Sequence, residues 1–197
     1  MPLTRWVLFG LATLGMGCAA DQNSSAPGGP TASWVADRGG PSTETYQSRA
    51  QRAASALICH CQGRPVVVMV LATDNPAAFS WRDGHVYLTS GLMDRMNDAD
   101  LAAVVAHELG HLIDNGIVRP PYSLGGAGEG VTGDGDIEVR ADALGVKMLE
   151  ACGMKPQAML EMLVKFKDFG SLSPATEATV GKRIAVLKER LGKPVLD

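Results

Sequence analysis

The sequence predicts an α+β domain in which a small three-stranded sheet packs on about five to six helices. Three patterns carry that expectation. A β-branched run from Val66 to Ala72 is followed by two short strand-like runs that flank Arg82-Asp83-Gly84. A nearly uninterrupted Ala/Leu/Val segment from Leu101 to Ile113 sits behind the start signal Asn97, Asp98 and Asp100. Later segments repeat apolar residues at helical spacing. With 197 residues, 46% of them hydrophobic, the chain can bury one sizeable core and hardly two.

In chain order, residues 1–20 read as an export signal, with Arg5 ahead of an apolar run from Trp6 to Met16 and small residues around Cys18. Two processing routes remain open. Leu14-Gly15-Met16-Gly17-Cys18 resembles a bacterial lipobox, although Gly15 stands where a large aliphatic residue is usual, and Cys18 would become the lipidated first residue. Cys18-Ala19-Ala20 also fits a small-x-small cleavage site that leaves a soluble protein beginning at Asp21. The expected location is the periplasmic face of the bacterial outer membrane in the first case, and the periplasm or the medium in the second. Residues 21–41 are rich in Ser, Gly and Pro and read as a flexible linker, leaving 42–197 as the folded domain.

Within that domain Ser42 can cap a helix from about Thr43 to Cys61, ended by Gly63 and Pro65. The run Val66 to Ala72 suits a central strand buried on both faces. Residues 77–81 and 85–89 form a hairpin, and Ser90 caps a short helix, Gly91 to Met96, that leads into the apolar helix. That helix is apolar around most of its circumference, so it should be buried. Residues 114–135 hold seven glycines and Pro120-Pro121, a length that suits either a lid over a cleft or a plain surface loop. Helices are predicted from Gly135 or Asp136 to near Gly153, from Gln157 to Phe169, and from Thr176 to Leu191.

A net charge of −3 points away from nucleic acid and from an anionic membrane surface. No run in the mature part is long enough for a membrane span, so membrane contact is expected only through the N-terminal lipid anchor. The sequence leaves the oligomeric state open.

The chemistry converges on His107-Glu108-Leu109-Gly110-His111. Histidines four apart lie on one helical face, where both imidazoles can reach a single cation. Glu108, one step round from His107, points beside that cation, where a general base for the attacking water has to sit. Tetrahedral zinc with an open position needs a third protein ligand. Glu138 is the better candidate than the distant His60 and His85, and Asp142 lies four residues on, where it could orient a ligand histidine.

The pair of motifs, HExxH at His107, Glu108 and His111 and ExxxD at Glu138 and Asp142, resembles the gluzincin metallopeptidases of the HtpX-like and CAAX-prenyl-protease type, which include BepA-like periplasmic lipoproteins. The resemblance runs over roughly residues 44–191 and includes Asn75-Pro76-Ala77-Ala78-Phe79, Gly84 to Leu92 and Lys182-Arg183-Ile184. It implies a zincin-like minimal metallopeptidase domain with one zinc ion per chain, held by His107, His111 and Glu138. It also implies Glu108 as the catalytic base, Asp142 behind a ligand, and Arg183 in a transition-state or site-supporting role. In such folds a strand beside the metal helix presents a free edge to an extended peptide, and His85, Val86 and Tyr87 are the candidate edge. Arg183 usually follows a His-Pro pair in the family, and Ser173-Pro174 stands there in this chain.

The function implied is an exported zinc-dependent endopeptidase that hydrolyses envelope or misfolded proteins. The alternative is a catalytically degenerate, zinc-stabilised module that binds such proteins without cutting them. Of the remaining cysteines, Cys152 could bridge to Cys59 or Cys61, or all three could stay reduced.

Overall fold

The computed structural model describes residues 32–59, 61–119, 137–169 and 174–192. The expected signal peptide with Cys18, the first part of the linker, most of the 114–135 loop and Ser173 lie outside the described residues. The architecture is α+β, as predicted, with seven helices and sheets of three and two strands among the described residues.

The chain enters through a short helix α1 (Ala32–Ala36) and then α2 (Glu44–Ile58). Strand β1 (Gln62–Gly63) is followed by β2 (Val67–Leu71), β3 (Ala78–Ser80) and β4 (His85–Thr89). Helix α3 (Ser90–Met93) leads to the long α4 (Asp98–Asp114), after which β5 (Val118–Arg119) pairs with β1. Helices α5 (Ile137–Ala151), α6 (Gln157–Lys167) and α7 (Pro174–Leu191) complete the domain.

Helix α4 is the axis of the core. Its first turn is fixed by a reciprocal capping box, in which Asn97 accepts from the Asp100 amide and Asp100 accepts from the Asn97 amide. Every residue from Asp100 to Leu112 is buried, with α2, α5, α6 and the sheet packed around it. Fully buried side chains such as Leu101, Val104, Val105 and Leu109 each contribute about 1.5–3 kcal/mol relative to exposure.

The strand order β2-β4-β3 corrects two expectations. The β-branched run β2 lies at a side of the sheet, parallel to β4, and His85–Thr89 is the central strand, antiparallel to β3. His85, Val86 and Tyr87 therefore cannot supply a free edge. Their main chains are paired on both sides, and Val86 and Tyr87 are buried. The outer side of β2 is covered as well: Pro41 bridges Leu71, the Ser42 amide donates to the Val70 carbonyl, and the Gln47 side chain both donates to and accepts from Val70. Beyond β3, Ala78–Ser80, no described strand follows.

Two further expectations shift. Ser42 is not the cap of α2: Thr43 occupies that position without a side-chain bond, and the Ser42 amide donates to the Val70 carbonyl of the sheet. Residues 32–41, assigned by composition to the linker, are docked: Trp34 lies 5.3–5.8 Å from the rings of Phe79, Trp81 and Tyr87, on the outer face of the sheet. A single tryptophan with three aromatic partners outweighs the low hydrophobicity of its neighbours. The thiols of Cys59, Cys61 and Cys152 are free, and Cys59 and Cys152 both donate to the Ala56 carbonyl at the end of α2.

Candidate metal centre

Close helix contact builds the site. Helices α4 and α5 approach through Ala106, Gly110, Ala141 and Gly145, and a methyl group added at Gly110 would lie 2.4 Å from the Ala141 carbonyl oxygen. Only glycine permits that approach, and it brings Glu138 and Asp142 of α5 against His107 and His111 of α4. The carboxylate pair is 31 residues downstream of the histidine pair, but the two pairs share one interior face.

His107 Nε2 lies 3.1 Å from His111 Nε2 and 3.3 Å from Glu138 Oε2, and His111 Nε2 lies 3.0 Å from Glu138 Oε1. A tetrahedral zinc with bonds of about 2.0–2.1 Å sets its ligand atoms about 3.3–3.4 Å apart. The separation of the two imidazole nitrogens, and of each from one of the two Glu138 oxygens, is close to that spacing, and one ligand atom from each of the three residues lies within 4.8 Å of the others. The donor chemistry matches too. Asp142 Oδ1, 2.8 Å from His107 Nδ1, requires the ring proton there and leaves Nε2 a lone pair on the side of His111 and Glu138. Glu138 Oε1 is buried and accepts no hydrogen bond despite its closeness to His111, as expected of two lone-pair atoms converging on a third point. Glu108 Oε2 is likewise buried without a partner.

Arg183 of α7 is 1% exposed and closes the back of the cluster. Its Nε donates to Asp142 Oδ2 and its Nη1 to Glu138 Oε2, both at 2.7 Å, while Nη2 donates to Asp142 Oδ1 and lies 3.2 Å from His107 Nδ1. These positions put Nη2 beside His107 Nδ1 and Nη1 on Glu138. Its guanidinium thus braces both carboxylates of α5 from α7.

Electrostatics follow from three carboxylates and one guanidinium in a dry space. Burial opposes ionisation of Glu138 and Asp142, but Arg183 and His107 hold both carboxyls below the usual range, Glu138 well below. Burial raises Glu108, with the two histidines and a Ser80 hydrogen bond partly offsetting it. Burial and Arg183 oppose a proton on His107, and Glu138 and Asp142 overcome them to raise it to about 9. A pocket that attracts a proton so strongly onto a histidine attracts a divalent cation for the same reason. Two net negative charges with all three carboxyls ionised match a divalent ion. The residues present fit zinc.

Among the described residues His107, His111 and Glu138 form the one group of metal-ligating side chains converging on a point. The sequence reading missed Gly110, for which a glycine inside a helical motif was the available signal. His85 is turned to Asp83, at 2.9 Å, and stacks on Tyr87. Cys18 lies outside the described residues.

The model of Peptidase family M48 matches residues 42–123 of the chain. The chain is similar to Metalloprotease LoiP of Escherichia coli (strain K12), 36% identical over 72 residues that cover 36% of this chain and 29% of that protein. It is also similar to Metalloprotease YcaL of the same organism, 40% identical over 67 residues that cover 34% of this chain and 26% of that protein. The chain thus matches less than a third of the length of either relative. The family match includes His107, Glu108 and His111, while Glu138, Asp142 and Arg183 lie beyond it and join the site through folding alone. Over residues 42–123, which include His107, Glu108 and His111, the chain is similar to peptidase family M48.

Proposed function

We propose that the protein is an exported zinc-dependent endopeptidase that hydrolyses peptide bonds in envelope or misfolded proteins. The observation that carries this reading is the convergence of His107, His111 and Glu138, each offering one ligand atom within 4.8 Å of the others, with Glu108 Oε2 buried and without a hydrogen-bond partner. When bound by His107, His111 and Glu138, zinc would polarise the scissile carbonyl and bring the pKa of a water to about 7.

The chain's own residues do the rest. Glu108 accepts the proton of the attacking water and passes it to the departing amine as the C–N bond breaks. Asp142 fixes the tautomer and ring orientation of His107. Arg183 neutralises the carboxylates behind the ligands and pins Glu138 Oε2, which leaves Oε1 for the metal. Strand β3, with its outer side unpaired among the described strands, offers main-chain groups to an extended polypeptide with little side-chain selectivity. The name metalloprotease carried by both relatives supports the same reading.

Location and anchoring belong to this proposal. Residues 1–20 act as the signal, and lipid attached at Cys18 holds the domain at the periplasmic face of the outer membrane. Among the described residues no helix is long and apolar enough to cross a membrane. Casein degradation by wild type, Glu108→Gln and zinc-stripped protein tests the enzymatic claim. Turnover in the wild type alone is expected. Equal degradation by all three defeats it, and zinc binding with client capture but no Glu108-dependent turnover favours the binding module.

A further inference from the structure

Three of the four cysteines lie together at a place the metal centre does not use. Cys59 directly follows α2, Cys61 is two residues further on, and Cys152 directly follows α5. The Cys59 and Cys152 thiols donate to one acceptor, the Ala56 carbonyl oxygen in the last turn of α2, at 3.1 and 3.3 Å. Their sulfurs are therefore no further apart than these two lengths laid end to end. The Cys61 thiol turns to a different acceptor, the Leu57 carbonyl, at 3.5 Å. Burial, with Cys152 and Cys59 adding to it, pushes the Cys61 thiol up to about 11, which keeps it protonated and a poor nucleophile near neutral pH. Cys59 is exposed and Cys152 is half-buried. The three sulfurs do not form a metal cradle: among the described residues the one group of three ligand atoms within 4.8 Å of one another is that of His107, His111 and Glu138.

We propose that Cys59 and Cys152 form a dithiol–disulfide site, closed by exchange with an external disulfide, that staples the end of α5 to the end of α2 while Cys61 stays a thiol. The exposed Cys59 thiolate attacks the external disulfide, forms a mixed disulfide and releases one thiol. The Cys152 thiolate then attacks the Cys59 sulfur, forms the new S–S bond and expels the second thiol. Each cysteine loses a proton, and the two electrons they give up reduce the external disulfide to two thiols. The fold surrenders only two S–H···O contacts, and a thiol is a weak donor. In return a long loop is closed. His107, His111 and Glu138 all lie between residues 59 and 152 in the chain, so the bridge encloses every metal ligand and restricts the unfolded chain strongly. Cys152 lies about 20 Å along α5 from Glu138, so the staple holds the fold without touching the ligands. Neither exchange step uses the metal centre, and the bridge forms whether or not the chain cleaves peptides.

The test equilibrates the full-length wild type, Cys59→Ser, Cys61→Ser and Cys152→Ser with glutathione rich in its disulfide form. Remaining thiols are trapped with N-ethylmaleimide, linked peptides are mapped by tandem mass spectrometry, and Tm is measured by calorimetry with and without dithiothreitol. The wild type is expected to show a Cys59–Cys152 link with maleimide on Cys61, and Cys61→Ser should show the same link. In both proteins Tm should be about 5–15 °C higher oxidised than reduced. Cys59→Ser and Cys152→Ser should lose the link and the Tm difference together. A predominant link from Cys152 to Cys61 or Cys18 in the wild type overturns the pairing. Glutathione left on Cys59 beside a free Cys152, or three thiols that stay reduced, overturns the site. A Cys59–Cys152 link that leaves Tm unchanged or lowers it overturns the stapling role.

Discussion

Replacing Gly110 by alanine tests how the two ligand-bearing helices are held together. The new methyl would lie 2.4 Å from the Ala141 carbonyl oxygen, 2.9 Å from its Cα and 3.0 Å from its carbonyl carbon. That is about 1 Å short of an ordinary van der Waals contact, and every atom in the way is backbone, so no side chain can swing aside. Helix α5 must retreat from α4, carrying the Glu138 oxygens away from imidazole nitrogens that now lie 3.0 and 3.3 Å from them. Metal sites tolerate ligand displacements of roughly 0.2 Å, so zinc affinity should fall at least tenfold, about 1.4 kcal/mol. Overpacking costs about 1–3 kcal/mol, partly offset by about 1 kcal/mol of helix propensity. Gly181→Ala in α7 provides the control, since nothing lies within 4 Å of its added methyl and propensity alone should stabilise it by about 0.5–1 kcal/mol. Chelator-competition titration of zinc and calorimetric melting of the three proteins give the comparison. If Gly110→Ala binds zinc as tightly as the wild type and melts higher, as Gly181→Ala should, the close helix contact is not what sets the site.

Arg183→Met should destabilise the fold by about 3–5 kcal/mol, because Glu138 and Asp142 would remain buried with their shared cation gone; Arg183→Lys should lose less, and wild-type stability by urea titration in the Met variant would refute the role given to the guanidinium. The zinc-stripped protein should lose stability as pH rises. His107 is raised to about 9 in the fold against about 6.5 in an unfolded chain, so its contribution is full below about pH 6.5 and gone above about 9. Zinc should abolish that dependence by replacing the proton, and identical pH–stability curves with and without zinc contradict the assignment of His107 as a ligand.

Much of the site was legible because helical spacing is local. His107 and His111, and again Glu138 and Asp142, are each one turn apart, and the geometry of a helix fixes what they share. The interhelical contact could be inferred only from chemistry, through the need for a third ligand. Strand order was not legible. A β-branched run satisfies both a central strand and a side strand whose outer face is covered by Gln47 and Pro41, and periodicity does not distinguish them. A hairpin signal likewise shows that β3 and β4 pair without showing which of them is inside. Residues 32–41 escaped because glycine, serine and proline dominate their neighbourhood, although Trp34 brought enough apolar area to dock. The partners of Arg183 are 41 and 45 residues away, and no pattern in the sequence joins them.

X-ray absorption at the zinc edge on the full-length protein tests the central claim most directly. The account predicts one zinc per chain, with two imidazole nitrogens at about 2.0–2.1 Å and one carboxylate oxygen at about 2.0–2.2 Å, and loss of the oxygen contribution in Glu138→Ala. A protein that takes up no stoichiometric zinc, or whose spectrum is unchanged by Glu138→Ala, contradicts it.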